Sequence, residues 1–149
     1  MQIIIGSDHA GYELKKDIKR LLEKKGWLVK DAGAHSPEPV DYPDIAEIVA
    51  REVLSSEDTL GILVCGTGMG MAIAANKVPG IRAAVCTSVY AASMAREHND
   101  ANILSIGARV TDAGLAGEIV KTFLQTPFQG GRHARRVDKI KALESRFHR

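Results

Sequence analysis

Residues 61–77 read Gly61-Ile62-Leu63-Val64-Cys65-Gly66-Thr67-Gly68-Met69-Gly70-Met71-Ala72-Ile73-Ala74-Ala75-Asn76-Lys77, and the fold follows from this stretch. Ile62 to Cys65 is a continuous apolar run, as a strand buried on both faces requires, and the segment after Gly70 has the composition of a buried helix. Gly66, Gly68 and Gly70 alternate through the turn between them. Such a turn lets backbone approach a ligand closely, and the amides at the helix start offer N–H groups to an anion. Cys65 at the strand tip and Thr67 inside the loop add a thiol and a hydroxyl to that space. The loop is no Walker A, because Gly-Lys-Ser/Thr does not follow. Nor is it a dinucleotide fingerprint, since its spacing is G-x-G-x-G with Met71 next. Both mismatches argue against a nucleotide. Glycine-rich turns also occur where no chemistry does, and a buried free cysteine is commonly just a small hydrophobe. The loop by itself therefore supports ligand binding better than it supports catalysis by Cys65.

Outward from this stretch, strand and helix alternate. Gln2 to Gly6 reads as a strand, followed by the turn Ser7-Asp8-His9-Ala10-Gly11 and a helix with Leu14, Ile18, Leu21 and Leu22 on one face, closed by Gly26. Trp27 to Lys30 is a second strand. The long irregular stretch from Asp31 to Pro43 has the length of a functional loop, and Asp44 is placed to cap a helix striped with Ile45, Ile48, Val49 and Val53. Beyond Pro79-Gly80, Ile81 to Cys86 predicts strand four, Ser88 to Glu97 a helix, Asn102 to Ile106 strand five, and Asp112 the start of a helix carrying Leu115, Ile119 and Phe123. Gly130-Gly131 precedes a final helix from Arg132 to about Phe147, with Val137, Ile140, Leu143 and Phe147 facing inward. The pattern predicts an α/β fold: a Rossmann-like three-layer α/β/α sandwich with a five-stranded parallel sheet and a C-terminal helix, forming a single domain over residues 1–149.

In such a sheet ligands bind beyond the C-terminal strand tips, near a switch point in strand order. Strand one brings Asp8 and His9 there, strand three Cys65 to Thr67, strand four Cys86 and Thr87, and strand five Gly107 and Arg109. His98 precedes strand five and belongs to the opposite edge, so it can join Cys65 only in a site formed with a neighbouring subunit. The net charge of +2 is too small to require a polyanionic partner, although basic residues gather from Arg132 to Arg149. Two cysteines, Cys65 and Cys86, provide no disulfide framework. Met1 leads directly into an apolar strand, and no 18-residue apolar run occurs, which predicts a cytoplasmic protein without a membrane partner.

Gly6-Ser7-Asp8-His9-Ala10-Gly11, Asp41-Tyr42-Pro43, Cys65-Gly66-Thr67-Gly68-Met69-Gly70, Asn76-Lys77, His98-Asn99-Asp100-Ala101-Asn102, Gly107-Ala108-Arg109 and Gly130-Gly131-Arg132-His133 resemble, in order and spacing, the motifs of the ribose-5-phosphate isomerase B family. That family lies within the wider group of ribose and galactose phosphate isomerases. The resemblance implies interconversion of a phosphorylated aldose and ketose without metal or cofactor, in a homodimer that can pair into a tetramer, with each active site built from two subunits. It implies Cys65 as the base that moves a proton between C2 and C1, and the amides of Gly66, Gly68, Met69 and Gly70 as holders of the enediolate oxygen. A helix N-terminus favours the thiolate of a cysteine beside it. Some relatives place a glutamate just after the last loop glycine. Here Met71 stands there, leaving Cys65 as the candidate.

By the same resemblance Thr67 serves the substrate oxygens, His98 opens the sugar ring with help from Asp8, and Tyr42 and Asn99 contact the sugar. His9, Arg109, Arg132 and Arg136 would hold the phosphate, and the last two stand one helical turn apart on one face. Without the resemblance, Asp8 and His98 read as polar turn residues making local hydrogen bonds. His35, His133 and His148 receive no role, and Cys86 reads as core. Other sugars, namely allose 6-phosphate, galactose 6-phosphate or free aldoses, suit the same proton transfer. A nucleotide- or RNA-binding module is disfavoured by scarce aromatics, and a metal-dependent hydride shift by the lack of ligand spacing.

Overall fold

The computed structural model describes residues 1–147; His148 and Arg149 lie outside the described residues. Five parallel strands, β1 (Gln2–Ser7), β2 (Leu28–Asp31), β3 (Thr59–Cys65), β4 (Ala83–Val85) and β5 (Ile103–Gly107), form one sheet in the order β2-β1-β3-β5-β4. The helices are α1 (Tyr12–Lys24), α2 (Tyr42–Leu54), α3 (Met69–Ala75), α4 (Val89–Asn99), α5 (Ala113–Gln125) and α6 (Arg132–Phe147). Ile3, Ile5, Ile62, Val64, Leu104 and Ile106 project to one face, against α1, α4 and α5. Ile4, Leu63, Cys65 and Ile103 project to the other, against α2 and α3. A strand exposes alternate side chains on opposite faces, so covering both sides makes the central strands apolar throughout, and β3 is buried at every position. The three-layer architecture is the one that the sequence predicts.

The chain leaves β1 toward β2 and returns to the other side of β1 as β3, so the switch point lies between β1 and β3. Their register pairs Ser7 with Val64, which sets Asp8 alongside Cys65, while Cys65 pairs with Gly107 of β5.

Several boundaries differ from the sequence reading. Helix α2 begins at Tyr42 with Asp41 at the cap position and Pro43 in the first turn; Asp44 is already helical. Proline tolerates that position because the amide it lacks would have had no helical partner. Strand β4 is only three residues long. The backbone below it is held by side chains: Asn102 Oδ1 accepts from Arg82 N at 2.8 Å, and the Asn76 amide brackets Ala83, accepting from its N at 2.7 Å and donating to its O at 2.9 Å. Helix α4 runs on through His98 to Asn99 and ends where Asp100 turns left-handed at φ 46°. Helix α3 is not wholly buried, for Ile73 is 62% exposed. On α6 only the start packs inward: Val137 is buried, whereas Ile140, Leu143 and Phe147 are exposed. No helix among the described residues is long and apolar enough to cross a membrane.

Candidate active site

Cys65 ends β3 with its thiol on the α2/α3 face, 5% exposed. Gly68 N donates to Cys65 Sγ at 3.1 Å. That contact depends on Gly68 holding a left-handed φ of 81°, which folds the loop back over the strand tip. The loop lies close over β5. A Cβ on Gly107 would come within 2.5 Å of the Thr67 carbonyl carbon, and Ser105 Oγ donates to Gly68 O at 2.6 Å. Ala108 N and Arg109 N donate to the carbonyls of Cys65 and Gly66, at 2.7 and 3.0 Å. These bonds bring the Arg109 guanidinium against Gly66, where a Cβ would lie 3.2 Å from Nη1. On the other flank a Cβ on Gly70 would meet the Tyr42 ring at 2.6 Å. The glycines thus admit an arginine and a tyrosine to the loop's two sides. Thr67 is exposed, and its Oγ1 accepts from Met69 N at 3.3 Å.

From β1, Asp8 N donates to Val64 O at 3.2 Å and Asp8 Oδ1 accepts from Gly11 N at 3.0 Å. One carboxylate oxygen is thereby fixed in the turn by a local hydrogen bond, and the other remains available. His9 Nδ1 accepts from Val40 N at 3.3 Å, tying the loop that leads into Tyr42 to the tip of β1. With Nδ1 accepting, Nε2 is the ring's donor in the neutral tautomer. Cys65, Thr67, Asp8, His9, Tyr42, Arg109 and the loop glycines therefore form one cluster at the C-terminal edge of the sheet.

His98, Asn99, Arg132 and Arg136 do not join it. Asn99 O accepts from Arg82 Nε at 3.0 Å, and Asn102 Nδ2 donates to Gly80 O at 2.9 Å, so the end of α4 abuts the entry to β4 at the opposite edge. Helix α6 starts beside it. Gln129 donates to Glu97 through its backbone N at 3.2 Å and its side chain at 2.9 Å, and Arg132 and Arg136 stand exposed on the helix that follows. The second cluster thus gathers a histidine, an amide and two arginines, with no group positioned like Cys65.

Two residues without a role in the sequence reading stand out. Lys15 is fully buried and bonds Asp31 Oδ1 at 2.9 Å and the Ala34 carbonyl. Burial raises the Asp31 pKa, but Lys15, the Gly33 amide and Lys19 outweigh it and hold the carboxyl below its usual value. Lys15 falls on the same helical face as Ile18 and Leu22, so periodicity marks it as inward and only its charge suggests solvent. His133, 6% exposed, stacks on His98 with ring centroids 4.1 Å apart and planes 10° from parallel. Cys86 is buried, which pushes its thiol up to about 11 and keeps it neutral in the core.

A family model described as Ribose/Galactose Isomerase matches residues 3–140. The chain belongs to the ribose/galactose isomerase family. Within that family it is 47% identical over 145 residues to ribose-5-phosphate isomerase B of Escherichia coli, covering 97% of each chain. It is also similar to the solved ribose-5-phosphate isomerase B of Clostridium thermocellum, with a TM-score of 0.96, 58% identity and 99% of each chain covered. The Mycoplasma genitalium enzyme of the same name, solved with bound ribulose 5-phosphate, aligns with a TM-score of 0.93 at 44% identity, over 97% of this chain and 96% of that one.

Proposed function

We propose that this chain is a ribose-5-phosphate isomerase in which Cys65 transfers a proton between C2 of the aldose and C1 of the ketose through an enediolate. The observation that carries the reading is the Cys65 sulfur at the switch-point strand tip, receiving the Gly68 amide, with Asp8 alongside. Met71, at the position where a carboxylate could have competed, is fully buried. The base takes the C2 proton of the open aldose, negative charge moves onto the C1 oxygen, and the loop amides and Thr67 hydroxyl donate to the enediolate oxygens. With the hydroxyl proton passed from O2 to O1 by way of the Thr67 hydroxyl, returning the carbon-bound proton to C1 gives the ketose, and no external oxidant or reductant is consumed. Ribulose 5-phosphate bound to the Mycoplasma genitalium relative supports the five-carbon phosphate as substrate.

The cluster holding Cys65 includes Asp8, the assistant in ring opening, but not His98, which lies in the distal cluster with Asn99, Arg132 and Arg136. A homodimer completes each site by setting one copy's distal cluster over the other copy's Cys65. Exposed apolar side chains support such an interface, among them Met69 at 60%, Ile73 at 62% and Tyr90 at 74%. His98 then handles the protons of the anomeric hydroxyl and ring oxygen, and His9, Arg109, Arg132 and Arg136 surround the phosphate.

The deciding experiment is Cys65→Ala in a direct ribose 5-phosphate assay. Turnover should fall by about 10²–10⁴-fold, the range for a lost general base, with an unchanged melting temperature. Wild-type protein in deuterium oxide should place solvent deuterium in the product. Full retention of the C2 label over repeated turnovers, or a mutant as active as the wild type, overturns the reading.

A further inference from the structure

His133 has no contact with the Cys65 cluster, yet it makes a close aromatic contact with a residue assigned to the chemistry. Its ring lies parallel to His98 within 10°, at 4.1 Å. Both ends of that contact are anchored. On the α6 side His133 N donates to Gly130 O at 3.0 Å, Gly130 and Gly131 take positive φ of 66° and 55°, and Val137 is buried one turn on. On the α4 side Glu97 receives Ser93 Oγ at 3.1 Å, Gln129 Nε2 at 2.9 Å and Gln129 N through its backbone oxygen. The start of α6 is thus clamped to the last turn of α4, with the two imidazoles stacked between them.

A partly exposed histidine on a last helical turn has several rotamers open to it, and a parallel ring against one face removes most of them. The charged groups facing His133 are His98 and Glu97 from α4 and Arg132 and Arg136 from its own helix. Desolvation, then the positive charge of His98, Arg132 and Arg136, lowers its pKa, while Glu97 opposes them. His133 therefore stays neutral where an ordinary histidine would begin to charge, and presents His98 with a ring instead of a repelling cation.

We infer that His133 is a positioning residue for ring opening, holding the His98 imidazole in the plane from which it serves the sugar bound by the second copy. The inference rests on the proposed aldose–ketose isomerase reading. It acts through His98, without His133 touching substrate. It concerns ring opening only, because proton abstraction belongs to the Cys65 cluster at the other edge.

The two steps can be read separately. Ribulose 5-phosphate has its C5 hydroxyl esterified and cannot close to a furanose. Exchange of its C1 hydrogen with deuterium oxide therefore reports enediolate formation without any ring step. In His133→Ala, turnover of ribose 5-phosphate should fall about tenfold or more, while C1 exchange changes by less than about threefold. His133→Phe keeps a planar ring and should restore most of the turnover. Val137→Ala loosens the same helix without touching the stack, and should lower the melting temperature without separating the two rates.

Parallel losses of turnover and exchange in His133→Ala, wild-type turnover in that variant, a Phe variant no better than Ala, or the same separation in Val137→Ala would each overturn the inference. No C1 exchange in the wild type would overturn the enediolate reading itself, and the inference with it. Exchange in the wild type with parallel losses in His133→Ala leaves that reading standing and removes the inference alone.

Discussion

Lys15 carries a full charge with no exposed surface, and the structure around it explains how. Asp31 and the Ala34 carbonyl satisfy its ammonium, Asp31 Oδ1 accepts from Gly33 N at 3.0 Å, and Gly33 and Ala34 in turn pair with the backbone of Ser7 at 2.7 Å each. The buried pair thus supports the strand end from which Asp8 departs. Lys15→Met retains the volume but leaves the Ala34 carbonyl without its donor and Asp31 with only Lys19 and the Gly33 amide, and should cost about 1–3 kcal/mol in urea unfolding, the penalty for a buried polar group left without its partner. The pair also has an acid limit. The folded state holds Asp31 ionised below 3.8, where the unfolded chain takes up a proton. Its contribution is therefore present above that value and lost as the pH falls through the folded pKa. Melting temperature measured downward from pH 5 should decline less steeply below pH 4 in Asp31→Asn than in the wild type. Sequence pattern placed Leu14, Ile18 and Leu22 correctly on the inner face of α1, and Lys15 escaped because a buried charge is legible only once its partners, from sixteen and nineteen residues further on, are known.

At the scale of elements, the strand-to-helix units were legible because two-sided burial leaves an unbroken apolar mark such as Ile62 to Cys65. Elements whose apolar residues are left largely exposed among the described residues were misread: α3 exposes Ile73, and α6 exposes Ile140, Leu143 and Phe147. Periodicity reports which face is apolar and is silent on what covers it. Strand β4 was overlong in the reading because Ile81 and Cys86 are buried like strand residues while lying outside the ladder. Helix α6 has a further consequence. It projects Arg132 and Arg136 together without an acidic partner within salt-bridge distance among the described residues. Guanidinium groups so free suit a phosphate. Arg132→Ala or Arg136→Ala should raise KM for ribose 5-phosphate by about tenfold or more, since a charge-assisted contact is worth roughly 1.5–3 kcal/mol. The effect on an unphosphorylated pentose should be small. Equal losses on both sugars in a steady-state comparison would assign the arginines a structural role.

The whole molecule separates the groups proposed for the reaction. Cys65, Asp8 and Arg109 stand at the C-terminal edge of the sheet, whereas His98 ends α4 at the edge where Arg82 and Gly80 enter β4. Strand direction alone made that separation legible in the sequence, because a helix returning between parallel strands ends where the next strand begins. The sequence brought Arg109 to the strand tips and, by resemblance, Tyr42 to the sugar, but their packing on the two sides of the loop was not legible, since it depends on missing Cβ atoms at Gly66 and Gly70. The two-fold dimer proposed above would turn that separation into two complete sites, each with one subunit's cysteine and the other's histidine. Cys65→Ala and His98→Ala should each be nearly inactive alone. Mixed in equal amounts and allowed to exchange subunits, they form heterodimers with both lesions in one site and neither in the other. Random mixing makes half of all dimers heterodimers, so activity should recover to about a quarter of wild type per total site. Recovery should require exchange, appearing after partial denaturation and refolding and failing on simple mixing of dimers that do not dissociate. If heterodimers counted by native mass spectrometry form without regained activity, His98 and Cys65 do not share a site across the interface.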